Sequence, residues 1–305
     1  MNTELWLHRF DEHLRLRGYS ERTREGYGYA VRSFLRFLED REVSEVAEVS
    51  RGELEAYRIH IFTLRTRGGA PLSLASHAGR VGPVLSFLRY LYEEGYILAN
   101  PGHGVKLPKV PDKLLPPLPG EDEILRLLEA PNTTTPEGLR DRAVLEVLYS
   151  TAMRNGELRA LDLESVDLVR KEVRVEYGKG AKGRLLPLGE PACEALEAYL
   201  AEGRPWLVRE VENGALFLNR LGRRMRGEMV SDLVKRWSEE SGLSLKVTPH
   251  RIRHCCATHM LARKAGLRHL QQLLGHASAD TTRRYTRVEI SDLREEHRRC
   301  HPREA

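Results

Sequence analysis

The stretch LGHASADTTRRYTR, residues 274–287, sets His276 nine positions before Tyr285 and surrounds the tyrosine with arginines. A tyrosine there can pack in a core, contact DNA or act as a nucleophile. Taken alone, a helix-terminal histidine and a core tyrosine are the plainer reading. Three other stretches carry comparable chemistry. TAMRNGEL, residues 151–158, places Arg154 just before Asn155 and Gly156 at a helix start; alone it reads as a loop arginine pairing with Glu157. GKGAKGR, residues 178–184, carries Lys179 and Lys182 on a glycine-rich turn ahead of Arg184. It is not a nucleotide phosphate loop, because the G-x-x-x-x-G-K-[ST] spacing is missing and a strand follows; alone it is a solvated hairpin tip. In TPHRIRHCCATHM, residues 248–260, Thr248 caps, Pro249 opens the helix, and His250 and Arg253 share a face at i, i+3. His254 and His259 invite a metal reading, but zinc proteases need H-E-x-x-H. Here the order is HRIRH, and arginine between the ligands repels a cation. No metal site is expected. The competing reading of this segment is a buried polar helix end, with Cys255 and Cys256 facing the core.

One chemistry accounts for all four stretches together. A phosphodiester attacked by an oxygen nucleophile builds negative charge on its non-bridging oxygens, and arginine forks match that geometry while staying charged. Preorganised donors of this kind supply the largest share of many rate enhancements. A lysine can protonate a leaving alkoxide and a histidine can accept the nucleophile's proton. A tyrosine oxygen can form the covalent bond that divides one hard step into two. None of this requires a metal, a cofactor or ATP.

In order and spacing, the four stretches resemble those of the tyrosine recombinases, the phage-type integrases and Xer-like site-specific recombinases. TAMRNGELRALDLESVDL is similar to the family's first arginine box and YGKGAKGRLLPLG to its lysine hairpin. TPHRIRHCCATHMLARKAG is similar to its His-x-x-Arg helix, and LLGHASADTTRRYTRV to its second histidine and nucleophile. The resemblance implies that Tyr285 is the nucleophile and that Arg154, Arg253 and His276 hold the scissile phosphate. It implies Lys179 as general acid on the leaving 5′ oxygen and His250 as proton acceptor. Lys182 and Arg184 would contact DNA phosphates, and Glu157 would support the first arginine's loop. The departure is Ala152, where the family usually has glycine. The implied activity is cleavage and rejoining of DNA through a 3′-phosphotyrosyl intermediate and a Holliday junction. The implied partners are double-stranded DNA with inverted-repeat sites, and three further protomers in a homotetramer or in a heterotetramer with a second recombinase. A DNA translocase is a possible further partner. The implied tasks are chromosome dimer resolution or movement of a mobile element. The rival readings are a non-catalytic architectural DNA-binding protein and a type IB topoisomerase.

The elements that must position these residues divide at PGHGVKLPKVPDKLLPPLPG, residues 101–120. Its six prolines stop both helix and inner strand, so a stiff extended linker is expected over 106–119. Residues 1–105 read as a helical, core-binding, SAM-like DNA-binding domain. Ser20 caps a helix to about Glu39, Ser50 and Glu53 make a capping box before a helix to about Arg65, and Ser73 opens one to about Glu94. Residues 120–305 read as the catalytic domain. Helices are expected at about 120–130, 137–150, 190–202, 227–241, 249–265, 267–275 and 281–298, with a β-hairpin over 171–189. The expected fold is mainly α with a small β-hairpin or sheet, and the resemblance adds a two-domain C-shaped DNA clamp. It also implies that residues 289–305 dock on a neighbouring protomer.

Composition agrees with this reading. The chain has 305 residues, 41% hydrophobic and 30% charged, with formal charge +5. That balance favours an anionic partner, and the arginine-rich segments 15–36, 220–226 and 283–287 suit a folded surface tracking phosphates. The length favours a compact form without an additional arm-binding domain. No apolar run reaches a membrane span, and the first residues carry acids and arginines in place of a signal peptide's apolar segment. A cytoplasmic protein with reduced Cys193, Cys255, Cys256 and Cys300 is expected.

Overall fold

The computed structural model describes residues 2–66, 68–108, 117–176, 183–209, 214–275 and 290–304, the side chains of the last segment from Leu293 onward. The chain forms two compact units, Met1–Leu115 and Pro116–Ala305. Each has its own apolar core.

The first unit is built from α1 (Thr3–Leu16), α2 (Glu21–Glu39), α3 (Arg51–Thr63) and α4 (Leu74–Glu93). The caps read from sequence are in place. The Ser20 hydroxyl accepts from the Thr23 amide, Ser73 accepts from Ser76, and Ser50 and Glu53 close a capping box. Each satisfies amide donors that a helix start leaves unpaired. The third helix ends two residues earlier than the pattern suggested. The apolar face of α2 (Val31, Phe34, Leu35, Leu38) is fully buried against Phe10, Tyr57, Phe87 and Leu88.

The second unit contains α5 (Glu121–Glu129), α6 (Pro136–Thr151), α7 (Asn155–Ala160), β1 (Val166–Asp167), β2 (Glu172–Val175), β3 (Arg184–Pro187), α8 (Glu190–Ala198), α9 (Arg204–Leu207), α10 (Gly227–Glu240), α11 (Pro249–Ala262), α12 (Leu267–Leu274) and α13 (Ile290–Cys300). The strands form one antiparallel sheet in the order β1-β2-β3, with Val173 opposite Leu186 and Val175 opposite Arg184. The hairpin matches the alternation of Val173 and Val175. The edge strand β1 went unread, because two residues are too short to show a period.

α6 is the axis of this unit. It is buried nearly all round, from Gly138 to Thr151, and packs against α5, α8, α9 and α11. Its buried charges are paired, Arg140 with Asp141 and Glu146 with Arg303, as burial in a core requires. Its amide ladder ends at Ala152, the C-cap, which adopts left-handed angles of φ 50 and ψ 26. A residue other than glycine costs about 1 kcal/mol there. That is the physical sense of the family's glycine, and Ala152 keeps the turn at the cost of strain.

The C-terminal helix α13 lies on its own unit. Leu293 and Cys300 are fully buried, and α13 packs on β3, α11 and α12. Within the single chain, the segment expected to dock on a neighbouring protomer packs on its own unit. The apolar Leu293 and Cys300 and the imidazoles of His297 and His301 find their burial at home.

Candidate active site

The left-handed turn at Ala152 aims the chain from α6 into α7, and Arg154 is the residue that caps α7. Its backbone amide donates to Glu157 Oε2 at 2.8 Å and its Nη1 to Glu157 Oε1 at 3.0 Å. Its Nη2 donates to the carbonyl of Gly275 at 3.3 Å. The side chain is half exposed. An arginine gripped at one end by a carboxylate, with its outer face open, is preorganised for an anion.

Arg253 stands on α11, whose start is built as the sequence indicated. Thr248 accepts from the Arg251 amide and Pro249 occupies the first turn. The Arg253 side chain is buried. Its Nη1 donates to the carbonyl of Ala152 at 2.6 Å and its Nη2 to that of Leu274 at 2.5 Å. Arg154 and Arg253 thus hold the end of α12 through Gly275 and Leu274, the residues directly before His276. The C-terminal end of a helix is the negative pole of its dipole, which favours the two cations there. Burial first, and then the charge of Arg154, push the Arg253 guanidinium down to about 10. It is charged at neutral pH, but a like charge beside it raises the cost of keeping it so.

Arg184, at the start of β3, donates from Nη1 and Nη2 to the two oxygens of Glu157, both at 2.9 Å. Glu157 therefore bridges Arg184 and Arg154. Its own burial opposes ionisation, but the hydrogen bonds from Arg184 and from the Arg154 backbone prevail and hold its carboxyl below the usual range. Among the described residues the site gathers three guanidinium groups around this one carboxylate, so it carries excess positive charge that a phosphate would neutralise.

His250 is exposed at the start of α11. With Arg253 and His254 it lines a concavity of about 480 Å³, lined also by Leu270 and Leu274. His254 Nε2 is buried there without a hydrogen-bond partner among the described residues. His259 has a different task. Its Nδ1 meets the Tyr149 hydroxyl at 2.9 Å and its Nε2 the Pro119 carbonyl at 3.1 Å, so it ties α11 to α6 inside the core. Both of its nitrogens are engaged in these core hydrogen bonds. Cys255 and Cys256 are buried, and the desolvation raises both thiols.

The structure thus brings together Arg154, Arg184 and Arg253, with His250 on the helix of Arg253. Lys179, Lys182, His276 and Tyr285 lie outside the described residues. The chain reaches them from β2 and β3 for the lysines, and from Gly275 for His276 and Tyr285.

A second basic concavity, of about 770 Å³, lies along the start of α10. Arg140 and Arg236 on its wall are committed to Asp141, and Arg224 to Asp162. Arg223 and Arg226 are exposed and have no acidic partner among the described residues. The arginine-rich run at 220–226 had marked this region without separating paired from unpaired residues.

Residues 120–291 match the phage integrase family, and residues 6–96 match the N-terminal SAM-like domain of phage integrases. The chain is 40% identical over 291 residues to tyrosine recombinase XerC 2 of Ralstonia nicotianae, covering 95% of this chain and 84% of the relative. It is 37% identical over 309 residues to tyrosine recombinase XerD of Mycobacterium tuberculosis, covering 98% of each. Among solved structures it resembles XerH site-specific recombinase bound to a palindromic difH substrate, with TM-score 0.68 and 22% identity over 92% of this chain and 80% of that one. It also resembles a lambda integrase dimer bound to a COC' core site, with TM-score 0.66 and 21% identity over 94% of this chain and 98% of that one.

Proposed function

The chain belongs to the phage integrase family of tyrosine recombinases, and from that premise we propose how its own residues cut and rejoin DNA. The scissile phosphate binds against Arg154 and Arg253, whose donors face the non-bridging oxygens. The observation that carries this is the excess positive charge of three arginines around Glu157, with Arg253 held under the repulsion of Arg154. A phosphate relieves that repulsion, and relieves it most in the transition state, where its charge is greatest.

Tyr285 Oη attacks phosphorus, and its proton passes to His250. The bond to the 5′ oxygen breaks, and Lys179 gives that oxygen its proton. The DNA is left with a 3′-phosphotyrosyl bond and a free 5′ hydroxyl. Rejoining reverses the steps, with the incoming 5′ hydroxyl attacking phosphorus and the tyrosine leaving. The energy of the original phosphodiester is kept in the covalent link, so neither ATP nor a metal is consumed. His276 completes the phosphate cradle. Arg184 acts chiefly through Glu157, and Lys182 contacts the DNA backbone. Arg223 and Arg226 supply further phosphate contacts beside α10, and Arg15, Arg22 and Arg36 supply them on the first unit, since the remaining arginines of segment 15–36, Arg17, Arg24 and Arg32, are paired to acids.

Lambda integrase as a dimer bound to a core site, and as a tetramer bound to a Holliday junction, supports the proposed action on paired sites as a tetramer, and a chromosomal substrate would place that action in the cytoplasm. Among the described residues no helix is long and apolar enough to cross a membrane.

The test is a duplex nicked near the cleavage point, which traps the covalent intermediate because the cut fragment diffuses away. Wild-type protein accumulates the adduct. Tyr285→Phe binds the same DNA and forms none. An adduct in the phenylalanine variant would remove Tyr285 from the nucleophile's role, and no adduct from wild type would leave a binding protein.

A further inference from the structure

α6 delivers Arg154, so whatever holds its last turn sets where that arginine points. The last carbonyls of a helix have no intrahelical partner and must be satisfied elsewhere. Here the next amides are already committed, that of Met153 to the Thr151 hydroxyl and that of Arg154 to Glu157. The carbonyl of Ala152 goes to Arg253. Those of Tyr149 and Ser150 go to the C-terminal segment: His301 Nε2 lies 3.1 Å from the Tyr149 oxygen and His297 Nε2 lies 2.8 Å from the Ser150 oxygen.

Both imidazoles are fully buried, one helical turn apart, with rings stacked at 4.4 Å. A carbonyl only accepts, so each Nε2 must carry its hydrogen. For His301 the second nitrogen agrees, because its Nδ1 accepts from the Arg303 amide at 3.2 Å. The surrounding bonds fix the pair in place. Arg303 Nη2 donates to Glu146 on α6 at 2.6 Å, and Glu304 accepts from the Glu190 amide at the start of α8 at 2.6 Å. A Cβ on Gly189 would meet Glu304 Oε1 at 2.4 Å, so a side chain there would displace the Glu304 carboxylate. The Ser150 hydroxyl in turn accepts from the Gly189 amide at 2.8 Å. The C-terminal segment, the end of α6 and the residues leading out of β3 are one hydrogen-bonded unit.

We propose that His297 and His301 are positioning residues for the cleavage reaction, whose Nε2–H groups cap the C-terminal end of α6 and thereby hold the Ala152–Arg154 turn in its phosphate-binding geometry. Neither touches DNA or the reacting atoms. They act through the carbonyls of Tyr149 and Ser150, five and four residues before Arg154 along the chain. Leucine at either position fills the space and removes the donor; glutamine keeps an N–H donor of similar reach without an ionisable ring. The inference rests on the reading of Arg154 as a phosphate ligand.

The experiment measures single-turnover cleavage of the nicked duplex, gel-shift affinity and melting temperature for the leucine and glutamine variants at both positions. Leu293→Ala and Arg154→Ala serve as references. His297→Leu and His301→Leu are expected to cleave at least ~10-fold more slowly at unchanged affinity, since small misplacements of a catalytic group cost that much or more. The glutamine variants should recover most of the rate. Leu293→Ala loosens the same helix without touching the α6 carbonyls, and should lose melting temperature with little loss of rate. Wild-type cleavage by the leucine variants overturns the proposal, as does a rate that follows melting temperature across the whole set. If the leucine variants do not fold, ¹⁵N NMR of the wild-type imidazoles decides, since an Nδ1–H tautomer at either histidine is incompatible with the cap. Arg154→Ala separates the two levels. A slow Arg154→Ala beside normal leucine variants defeats this inference alone; a normal Arg154→Ala defeats the reading of the site itself.

Discussion

At the scale of single residues, the site separates two tasks that DNA cleavage requires. In the proposed mechanism Arg154 and Arg253 would face charge on the non-bridging oxygens, and Lys179 would supply a proton to the leaving oxygen. A substrate with sulfur at the 5′-bridging position tells them apart, because a thiolate leaves without protonation. Lys179→Ala is expected to be slow on ordinary DNA and largely restored on the sulfur substrate. Arg253→Ala is expected to lose at least ~100-fold on both, the scale of one preorganised oxyanion donor. Equal defects for Lys179→Ala on the two substrates would pass the acid role to Lys182. Arg253 and Ala152 show how far residue types alone can be read. The resemblance implied a phosphate-binding role for the arginine, and its i, i+3 spacing put it on the face of His250. That it also fastens the Ala152 and Leu274 carbonyls was not legible, because those partners are 101 and 21 positions away.

At the scale of elements, the C-terminal helix is where sequence reading and structure part. Its residues from 289 onward read as a short charged helix unable to bury itself well alone, and the structure packs it on β3, α11 and α12 of its own unit. The histidines that make this possible are ordinary surface residues by type; only an i, i+4 pair with a core behind it becomes a cap. Burial pushes His297 down to about 4 and His301 well below its usual value, where the His297 charge and then those of Arg303 and Arg263 add to the burial. Unfolded, both histidines titrate near the ordinary 6.5. The unfolded chain therefore binds more protons than the folded one as pH falls below that value. The stability contributed by neutral His297 is present above about pH 6.5 and declines as pH falls toward about 4. The other groups around the pair are Glu146 and Tyr149 on α6, Arg263 after α11, and Arg303 and Glu304 beside it. The carboxylates also titrate in acid, so the comparison of wild type with His297→Gln isolates the imidazole. Melting temperature followed from pH 7.5 to about 4.5 should fall more steeply for wild type than for His297→Gln. Parallel curves would mean that the imidazole is not buried as described.

At the scale of the whole molecule, two separate cores mean two folding units. The second unit closes its core with α5 and α13, both of its own chain segment, so it does not depend on the first for burial. A fragment of residues 117–305 is expected to melt as one cooperative transition. It should retain the cleavage chemistry but bind DNA at least ~10-fold more weakly at equal salt, with a shallower salt slope, because the phosphate contacts of the first unit are gone. Calorimetry and salt-dependent gel shifts measure both. A fragment that fails to fold, or that binds as tightly as the full chain, would contradict this division of labour.

Some of this protein was determined locally and could be read without a structure. Helix caps at Ser20, Ser50, Ser73 and Thr248 depend on a hydroxyl and amides two or three residues away, and all stand where the pattern puts them. The hairpin follows from alternation within four residues, and the identity of the chemistry follows from residue types that few other reactions need together. What the tertiary structure decided depends on partners far apart in the chain. Glu157 joins Arg154 to Arg184 across 27 positions, and His301 meets Tyr149 across 152. No period or motif encodes such pairs, because each side chain is locally plausible in solvent. Only the burial of α6 leaves carbonyls in need of donors, and only the folded chain brings the C-terminal histidines to them.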